Sequence, residues 1–174
     1  MRYASIRNMD IVNGVGIACS LFVQGCSHHC KNCFNQETWD FNGGKEWTKE
    51  IEDEFIEICK RPYIDCVSIL GGEPLDQDLD MLRVLKRINA EVGKSIYLWT
   101  GYTWEEIFHN MKYYIQSVEL MLCDYVIDGE YVDDLKDYRL KLRGSSNQRI
   151  IDVKKTLETK TNDIEDYHKI IVVG

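Results

Sequence analysis

Residues 25–35, GCSHHCKNCFN, contain three cysteines, Cys26, Cys30 and Cys33, with three residues in the first gap and two in the second. A structural zinc site normally has four protein ligands, and a cluster that only carries electrons needs a fourth cysteine of its own. Three thiolates on one loop can instead bind three irons of a [4Fe-4S] cluster and leave the fourth iron without a protein ligand. We therefore predict a cluster on these cysteines, whose open iron binds a small-molecule substrate through an amine and a carboxylate.

A structural zinc site is the main alternative for this loop. His28, His29 or a distant cysteine would complete it, and the protein would then be a zinc-stabilised binding module without turnover. Apart from that alternative, both histidines are expected to be exposed loop residues. The other cysteines lie within predicted strands or helices beside apolar neighbours, where we expect buried and inert packing: Cys19, Cys59, Cys66 and Cys123.

Length and charge narrow the class of protein. The chain has 174 residues without a recognisable linker, which favours one domain, residues 1–174. The net charge of −8 argues against a nucleic-acid surface. No apolar segment approaches the ~20 residues of a membrane span, and the first residues do not form a signal peptide. Seven cysteines without such a signal predict a reducing, cytoplasmic setting.

Short apolar segments alternate with amphipathic ones along the chain. Residues 3–25 are typical of a hairpin that turns at Asn13 and Gly14. Three continuously apolar segments then predict strands at residues 66–70, 95–99 and 120–127.

Helices are predicted between these strands. One begins at Trp47 and Thr48, a second begins near Asp76, and a third follows the capping box at residues 103–106, TWEE. The apolar faces assigned to these three helices are, in order, Ile51, Phe55, Ile58 and Cys59; Leu79, Leu82, Leu85 and Ile88; and Trp104, Ile107, Phe108 and Met111.

Strands that are apolar on both faces and separated by amphipathic helices predict a parallel sheet covered by helices. A closed eight-fold barrel needs roughly 200 residues or more, so an open partial barrel or an open sheet fits this chain better. Function gathers at the carboxyl ends of such strands. The cysteine loop and the turn Gly71, Gly72, Glu73 and Pro74 both follow predicted strands, and the glycines would let a ligand approach the backbone closely.

The three-cysteine motif followed by a GGEP turn resembles the radical S-adenosylmethionine (SAM) superfamily. Further segments resemble the family that activates anaerobic ribonucleoside-triphosphate reductase: VNGVGIACSLFVQGCSHHCKNCFN, SILGGEPL, YLWTGYTWEE, CDYVIDGEYVDDLKD and LRGSSNQRIIDV. These segments extend from about residue 12 to residue 153 and cover most of the chain.

The resemblance implies an α/β fold, a partial (open) TIM-like barrel of parallel strands with covering helices. It implies a [4Fe-4S] cluster on Cys26, Cys30 and Cys33, with no catalytic side chain beyond these ligands. SAM would bind the open iron through its methionine amine and carboxylate. The residues implied in binding SAM are Asn32, Cys33, Phe34, Gly71, Gly72 and Glu73.

One position departs from the superfamily pattern. Many members have an aromatic residue just before the third cysteine, where this chain has Asn32. Phe34 is therefore the alternative candidate for contact with the adenine. Segment 143–149, RGSSNQR, is interpreted either as a loop held by local hydrogen bonds or as a ligand or partner contact.

The reaction and partners are also implied by the resemblance. One electron from the reduced cluster would cleave SAM to methionine and a 5′-deoxyadenosyl radical. That radical would take a hydrogen atom from a glycine of the large subunit of anaerobic ribonucleoside-triphosphate reductase. A low-potential donor such as flavodoxin would supply the electron, and neither nucleic acid nor membrane is expected as a partner. The alternatives within the superfamily are an activase of a different glycyl-radical enzyme and an enzyme acting on a small heterocycle.

Overall fold

Seven strands form one sheet with helices packed against it in the computed structural model, which describes residues 1–159 and 170–173. The strands are β1 Arg2–Asp10, β2 Ala18–Gln24, β3 Lys45–Glu46, β4 Cys66–Gly71, β5 Ser95–Trp99, β6 Tyr125–Asp128 and β7 Arg149–Asp152. The helices are α1 Lys49–Cys59, α2 Asp78–Glu91, α3 Trp104–Phe108, α4 Tyr114–Met121 and α5 Val153–Glu158.

The sheet has the order β3-β1-β2-β4-β5-β6-β7 and does not close into a barrel over the described residues. Strands β2, β4, β5 and β6 are mutually parallel, whereas β1, β3 and β7 pair antiparallel with their neighbours. The predicted open α/β sheet and its parallel centre are therefore confirmed. The predicted hairpin is the β1–β2 pair, and Asn13 and Gly14 lie in its connecting loop.

The parallel strands are buried because helices cover one face and loops contribute to the other. Every residue of β2 is buried, as expected for a central strand of an α/β sheet. Helix α1 begins where the sequence predicts, since the Thr48 hydroxyl accepts a hydrogen bond from Ile51 N, and Phe55 and Cys59 are fully buried. The capping box of Thr103 and Glu106 is likewise confirmed at the start of α3.

Helix α2 presents a different face to the core from the one predicted. Leu79 is 64% exposed and Leu82 is half-buried, so the prediction for these two residues is wrong. Positions three apart advance by about 300° around a helix, so that line of residues drifts off one face. The buried residues instead follow the i, i+3, i+4, i+7 pattern of an amphipathic helix: Met81, Val84, Leu85 and Ile88.

The apolar segment 120–127 is divided between two elements. Leu120 lies in the last turn of α4, and β6 begins only at Tyr125, so the predicted strand is too long at its start. Leu120 and Val126 are both buried, which makes a helix end and a strand look alike in sequence. Met111, assigned to the third helix, lies beyond the end of α3 and is 89% exposed.

None of the helices in the described part of the chain is long and apolar enough to cross a lipid bilayer.

Candidate cluster site

The cysteine loop leaves the sheet at the carboxyl end of β2. Gly25 has φ +100°, a backbone conformation that favours glycine. Its amide donates to Thr38 O at 2.8 Å, and the Cys26 amide donates to Trp39 O at 3.2 Å. These two bonds fix the direction in which the loop leaves the strand.

Exposure divides the seven cysteines, all of which are free thiols, into two groups. Cys26, Cys30 and Cys33 are half-buried. The other four are buried in strands, in a helix or beside one, as predicted: Cys19, Cys59, Cys66 and Cys123. Only the three loop cysteines therefore combine proximity in sequence with access from outside the core.

Backbone amides donate to the sulfurs of Cys26 and Cys33. The amides of His28 and His29 donate to the Cys26 sulfur, and the Asn35 amide donates to the Cys33 sulfur at 3.4 Å. Hydrogen bonds to sulfur are one of the means by which proteins stabilise iron–sulfur clusters and tune their potentials. The loop therefore fits thiolates that bind iron.

Burial opposes ionisation of these thiols in the metal-free loop. Burial raises the pKa of Cys26 to about 11, although the amide hydrogen bonds act in the other direction. Burial and the Glu130 carboxylate also raise the pKa of Cys30. Iron binding must therefore displace protons from these sulfurs.

Across residues 1–159 and 170–173, no group of three or more His, Cys, Asp or Glu side chains is arranged to hold a metal ion. In a [4Fe-4S] cluster the cysteines bind different irons, so the ligands of a cluster need not converge on one atom.

The GGEP turn contacts the start of the cysteine loop directly. The Glu73 amide donates to Gly25 O at 2.8 Å, and the Gly72 amide donates to Val23 O at 2.9 Å. A Cβ atom on Gly72 would collide with the carbonyl oxygen of Gly25. The sequence predicts that the glycines make room for a ligand, but at Gly72 the neighbour that requires this room is the cysteine loop itself.

Glu73 is the buried centre of this end of the sheet, with 1% of its surface exposed. Its carboxylate accepts hydrogen bonds from Leu75 N at 3.0 Å and from Gly101 N at 2.7 Å. His28 Nε2 lies 3.3 Å from the same carboxylate. One side chain thus connects the ends of β4 and β5 with the cysteine loop.

His28 is not the exposed residue that the sequence suggested, because its side chain is only 11% exposed. Its Nδ1 lies 2.8 Å from Glu130 Oε1, and its ring meets Tyr102 edge-on with 4.5 Å between centroids. Although burial opposes the charged form, Glu73 and Glu130 raise the pKa of His28 to about 9. His29, in contrast, is exposed, as predicted, and packs against Trp39.

Asp76 is a second residue that sequence reasoning did not single out. Its carboxylate accepts hydrogen bonds from Ser27 N at 2.9 Å and from the Tyr102 hydroxyl at 3.1 Å. It therefore fixes the cysteine loop from the turn that follows Glu73. The adjoining GGEP motif was the signal that could have drawn attention to it.

The far side of the cysteine loop contacts the loop after β6. Asn32 has φ +55°, and its Nδ2 donates to Asp133 Oδ2 at 2.6 Å. Phe34 is 54% exposed and lies beside Tyr131, with 5.1 Å between ring centroids. Both residues thus border the cysteines from the same side.

Segment 143–149 clamps the loop after β6. The Gln148 side chain accepts hydrogen bonds from Gly144 N and Ser145 N and donates to Gly129 O at 3.0 Å. Asn147 Nδ2 donates to Glu130 O at 2.8 Å. Of the two interpretations of this segment, the contacts favour the loop held by hydrogen bonds.

A cavity of about 790 Å³ adjoins this end of the sheet. It lies beside His28, between the start of α3 and the end of β6, and its lining includes Tyr102, Glu106 and Glu130. Arg149 borders it, where its guanidinium pairs with Asp128 and with Glu105, the latter at 2.6 Å.

Known proteins resemble the chain over most of its length. A family profile described as a 4Fe-4S single cluster domain matches residues 12–151. The chain is 44% identical to an anaerobic ribonucleoside-triphosphate reductase-activating protein of Salmonella typhimurium, over 85% of this chain and 96% of the relative. Proteins of the same name from Escherichia coli K12 and from enterobacteria phage T4 are 42% and 35% identical, over 96% and 93% of their own lengths. The profile match includes the cysteine loop and the four parallel strands.

Proposed function

Because the chain belongs to the family of anaerobic ribonucleoside-triphosphate reductase-activating proteins, we propose that it activates such a reductase as a radical SAM enzyme. The observation that carries this proposal is the placement of three free, half-exposed cysteines next to the GGEP turn. The cysteine loop and the GGEP turn both lie at the carboxyl end of the parallel strands, where an α/β sheet binds its ligands. In this proposal the open sheet corresponds to the partial barrel that the resemblance to radical SAM enzymes implies.

In this proposal Cys26, Cys30 and Cys33 hold a [4Fe-4S] cluster. The amides that donate to Cys26 and Cys33 stabilise the thiolate form of these ligands. When bound, the cluster and SAM supply the chemistry, in which one electron cleaves the sulfonium to methionine and a 5′-deoxyadenosyl radical. The chain's own residues place the cofactor and exclude water from it.

The residues around the cysteines take the positioning roles. Gly71, Gly72 and Glu73 offer the backbone that receives the methionine amine. The carboxylate of Glu73 is already bound by Leu75 N and Gly101 N, so its part is to hold the turn in place. Asn32, Cys33 and Phe34 border the adenosyl group on the opposite side, and the exposed ring of Phe34 suits contact with the adenine.

The target is a glycine of the large subunit of anaerobic ribonucleoside-triphosphate reductase. A glycine suits this role because its Cα–H has no side chain to shield it. A low-potential carrier such as flavodoxin supplies the electron in the cytoplasm, and neither nucleic acid nor a membrane takes part. The whole chain acts as one domain.

Anaerobic reconstitution with iron and sulfide, followed by SAM, dithionite and the cognate reductase, tests the proposal. We expect methionine, 5′-deoxyadenosine and a glycyl radical that electron paramagnetic resonance detects as a doublet on the reductase. Changing the target glycine to alanine should remove the doublet while SAM cleavage continues. SAM cleavage without any radical on the reductase would exclude the activase and leave another small radical SAM enzyme. S-adenosylhomocysteine as the main product would exclude this chemistry altogether.

A further inference from the structure

The cavity of about 790 Å³ beside His28 is lined by none of the residues proposed to bind the cluster or SAM. Its volume lies within the ~300–1,000 Å³ range of ligand-binding pockets. It opens along the outer rim formed by Glu106, His109 and Asn110, all of which are exposed. Its inner wall reaches the cysteine loop at His28. The cavity, here named the α3 cleft, thus connects the protein surface with the edge of the proposed cluster site.

The lining of the α3 cleft contains more acidic than basic side chains. Four carboxylates contribute to it, those of Glu105, Glu106, Asp128 and Glu130. Arg149 pairs with Glu105 and Asp128, and His28 pairs with Glu130. Within the described part of the chain, Glu106 has no salt-bridge partner, and its carboxylate accepts hydrogen bonds only from Thr103. Negative charge on the outer rim therefore remains available to a ligand.

We infer that the α3 cleft receives a loop of the reductase that presents a lysine or arginine to Glu106. This inference rests on the proposed function, because it names the surface of this chain on which the reductase docks. A protein loop suits the cleft because the rim residues Glu106, His109 and Asn110 are exposed, so that a partner protein can reach them from solvent. Opposite charges at such a rim mainly guide association and set the register of docking.

Charge reversal at the rim tests the inference. The holoenzyme carrying Glu106→Lys is titrated with reductase, SAM and dithionite, and the glycyl radical is quantified at each reductase concentration. We expect the half-saturating reductase concentration to rise roughly tenfold at low salt and less at high salt, where charges are screened. Glu106→Gln should act in the same direction with a smaller effect. Met111→Lys places a lysine at an exposed residue outside the cleft and should leave the titration unchanged.

The readouts separate the inference from the proposed function. If wild-type protein forms the radical and Glu106→Lys titrates like Met111→Lys, the inference is overturned while the proposed function stands. If Glu106→Lys instead raises the KM for SAM in cleavage measured without reductase, the cleft belongs to the cofactor and the inference again fails. If wild-type protein forms no radical at any reductase concentration, both fail. Thermal unfolding identifies a variant that has lost its fold, in which case Glu106→Gln decides between these outcomes.

Discussion

His28 Nε2 lies 3.3 Å from the buried carboxylate of Glu73, so a residue of the cysteine loop reaches the central residue of the GGEP turn. Through its other ring nitrogen, His28 also reaches Glu130 after β6. The loops that follow β2, β4, β5 and β6 therefore meet around one imidazole and one carboxylate. This arrangement predicts which substitutions disturb the site as a whole and which act on one ligand.

The metal content is the first prediction. Anaerobically reconstituted protein should contain about four irons and four sulfides per chain, as a [4Fe-4S] cluster requires. Alanine at Cys26, Cys30 or Cys33 should remove the cluster, because each is proposed to supply one ligand. Iron and sulfide analysis with visible absorption measures both. Cys59→Ala is the control, since Cys59 is fully buried in α1 and its loss should cost about 1 kcal/mol of stability while the cluster remains. Stoichiometric zinc with little iron would favour the binding module instead.

The second prediction compares the same substitution at adjacent histidines. His28→Asn should lower the free energy of unfolding by about 2 kcal/mol, because it removes the imidazole that hydrogen-bonds Glu130 and lies 3.3 Å from the buried Glu73 carboxylate. His29→Asn should cost less than about 1 kcal/mol, since His29 is exposed and asparagine tolerates its φ of +53°. Anaerobic urea titrations give both values. Equal losses at the two positions would mean that the contacts of His28 contribute nothing specific.

The third prediction concerns Gly72. Gly72→Val should destabilise the protein before any cofactor binds, because its Cβ would collide with the Gly25 carbonyl. Thermal unfolding of the protein without cluster or SAM should show a large drop in Tm. Gly93→Asn is the control, since no atom lies within 4 Å of a Cβ there and asparagine tolerates its φ of +65°. A Gly72→Val protein with unchanged Tm but weaker SAM binding would show that the glycine serves the cofactor alone.

The fourth prediction uses the ion pair of Glu105 and Arg149. The Arg149 guanidinium lowers the pKa of Glu105 below 4.5, although burial acts against it. A carboxylate with a depressed folded-state pKa stabilises the fold above its unfolded pKa and loses that contribution as the pH falls through the folded pKa. Glu105→Gln should therefore be less stable than wild type at pH 7, with the difference shrinking below about pH 4.5. Urea titrations across this range measure it, and a difference that grows on acidification would contradict the assignment.

The sequence predicted the parts of the fold that depend on local patterns. Capping residues such as Thr48 and Thr103 mark helix starts because their hydroxyls accept hydrogen bonds from backbone amides of the first turn, so both starts are predictable from local sequence. The prediction failed at Leu79 and Leu82 because a constant spacing of three residues drifts around the helix, whereas the buried residues that begin at Met81 combine spacings of three and four. Which apolar residues face the core depends on where the neighbouring strands lie, and one helical segment does not contain that information.

The spacing of the loop cysteines predicts the candidate ligands, but it does not predict how their loop is connected to the rest of the site. The spacing of Cys26, Cys30 and Cys33 gave the candidate cluster. The partners of His28 are distant in sequence, at Glu73 and Glu130, and they meet only because β2, β4, β5 and β6 are parallel and end together. Two adjacent histidines look equivalent in sequence, and the fold alone distinguishes the buried one from the exposed one.

The contact between Gly72 and Gly25 has a consequence for mutational screens of this protein. A selection for activity would reject nearly every side chain at residue 72, and the position would then be counted among the cofactor contacts. The collision with the Gly25 carbonyl makes side chains at residue 72 equally unfavourable in protein without a bound cofactor. Mutational sensitivity at this turn therefore reports the close contact between the GGEP turn and the cysteine loop, which the fold requires before any cofactor binds. Only a comparison of loaded and unloaded protein separates that requirement from binding.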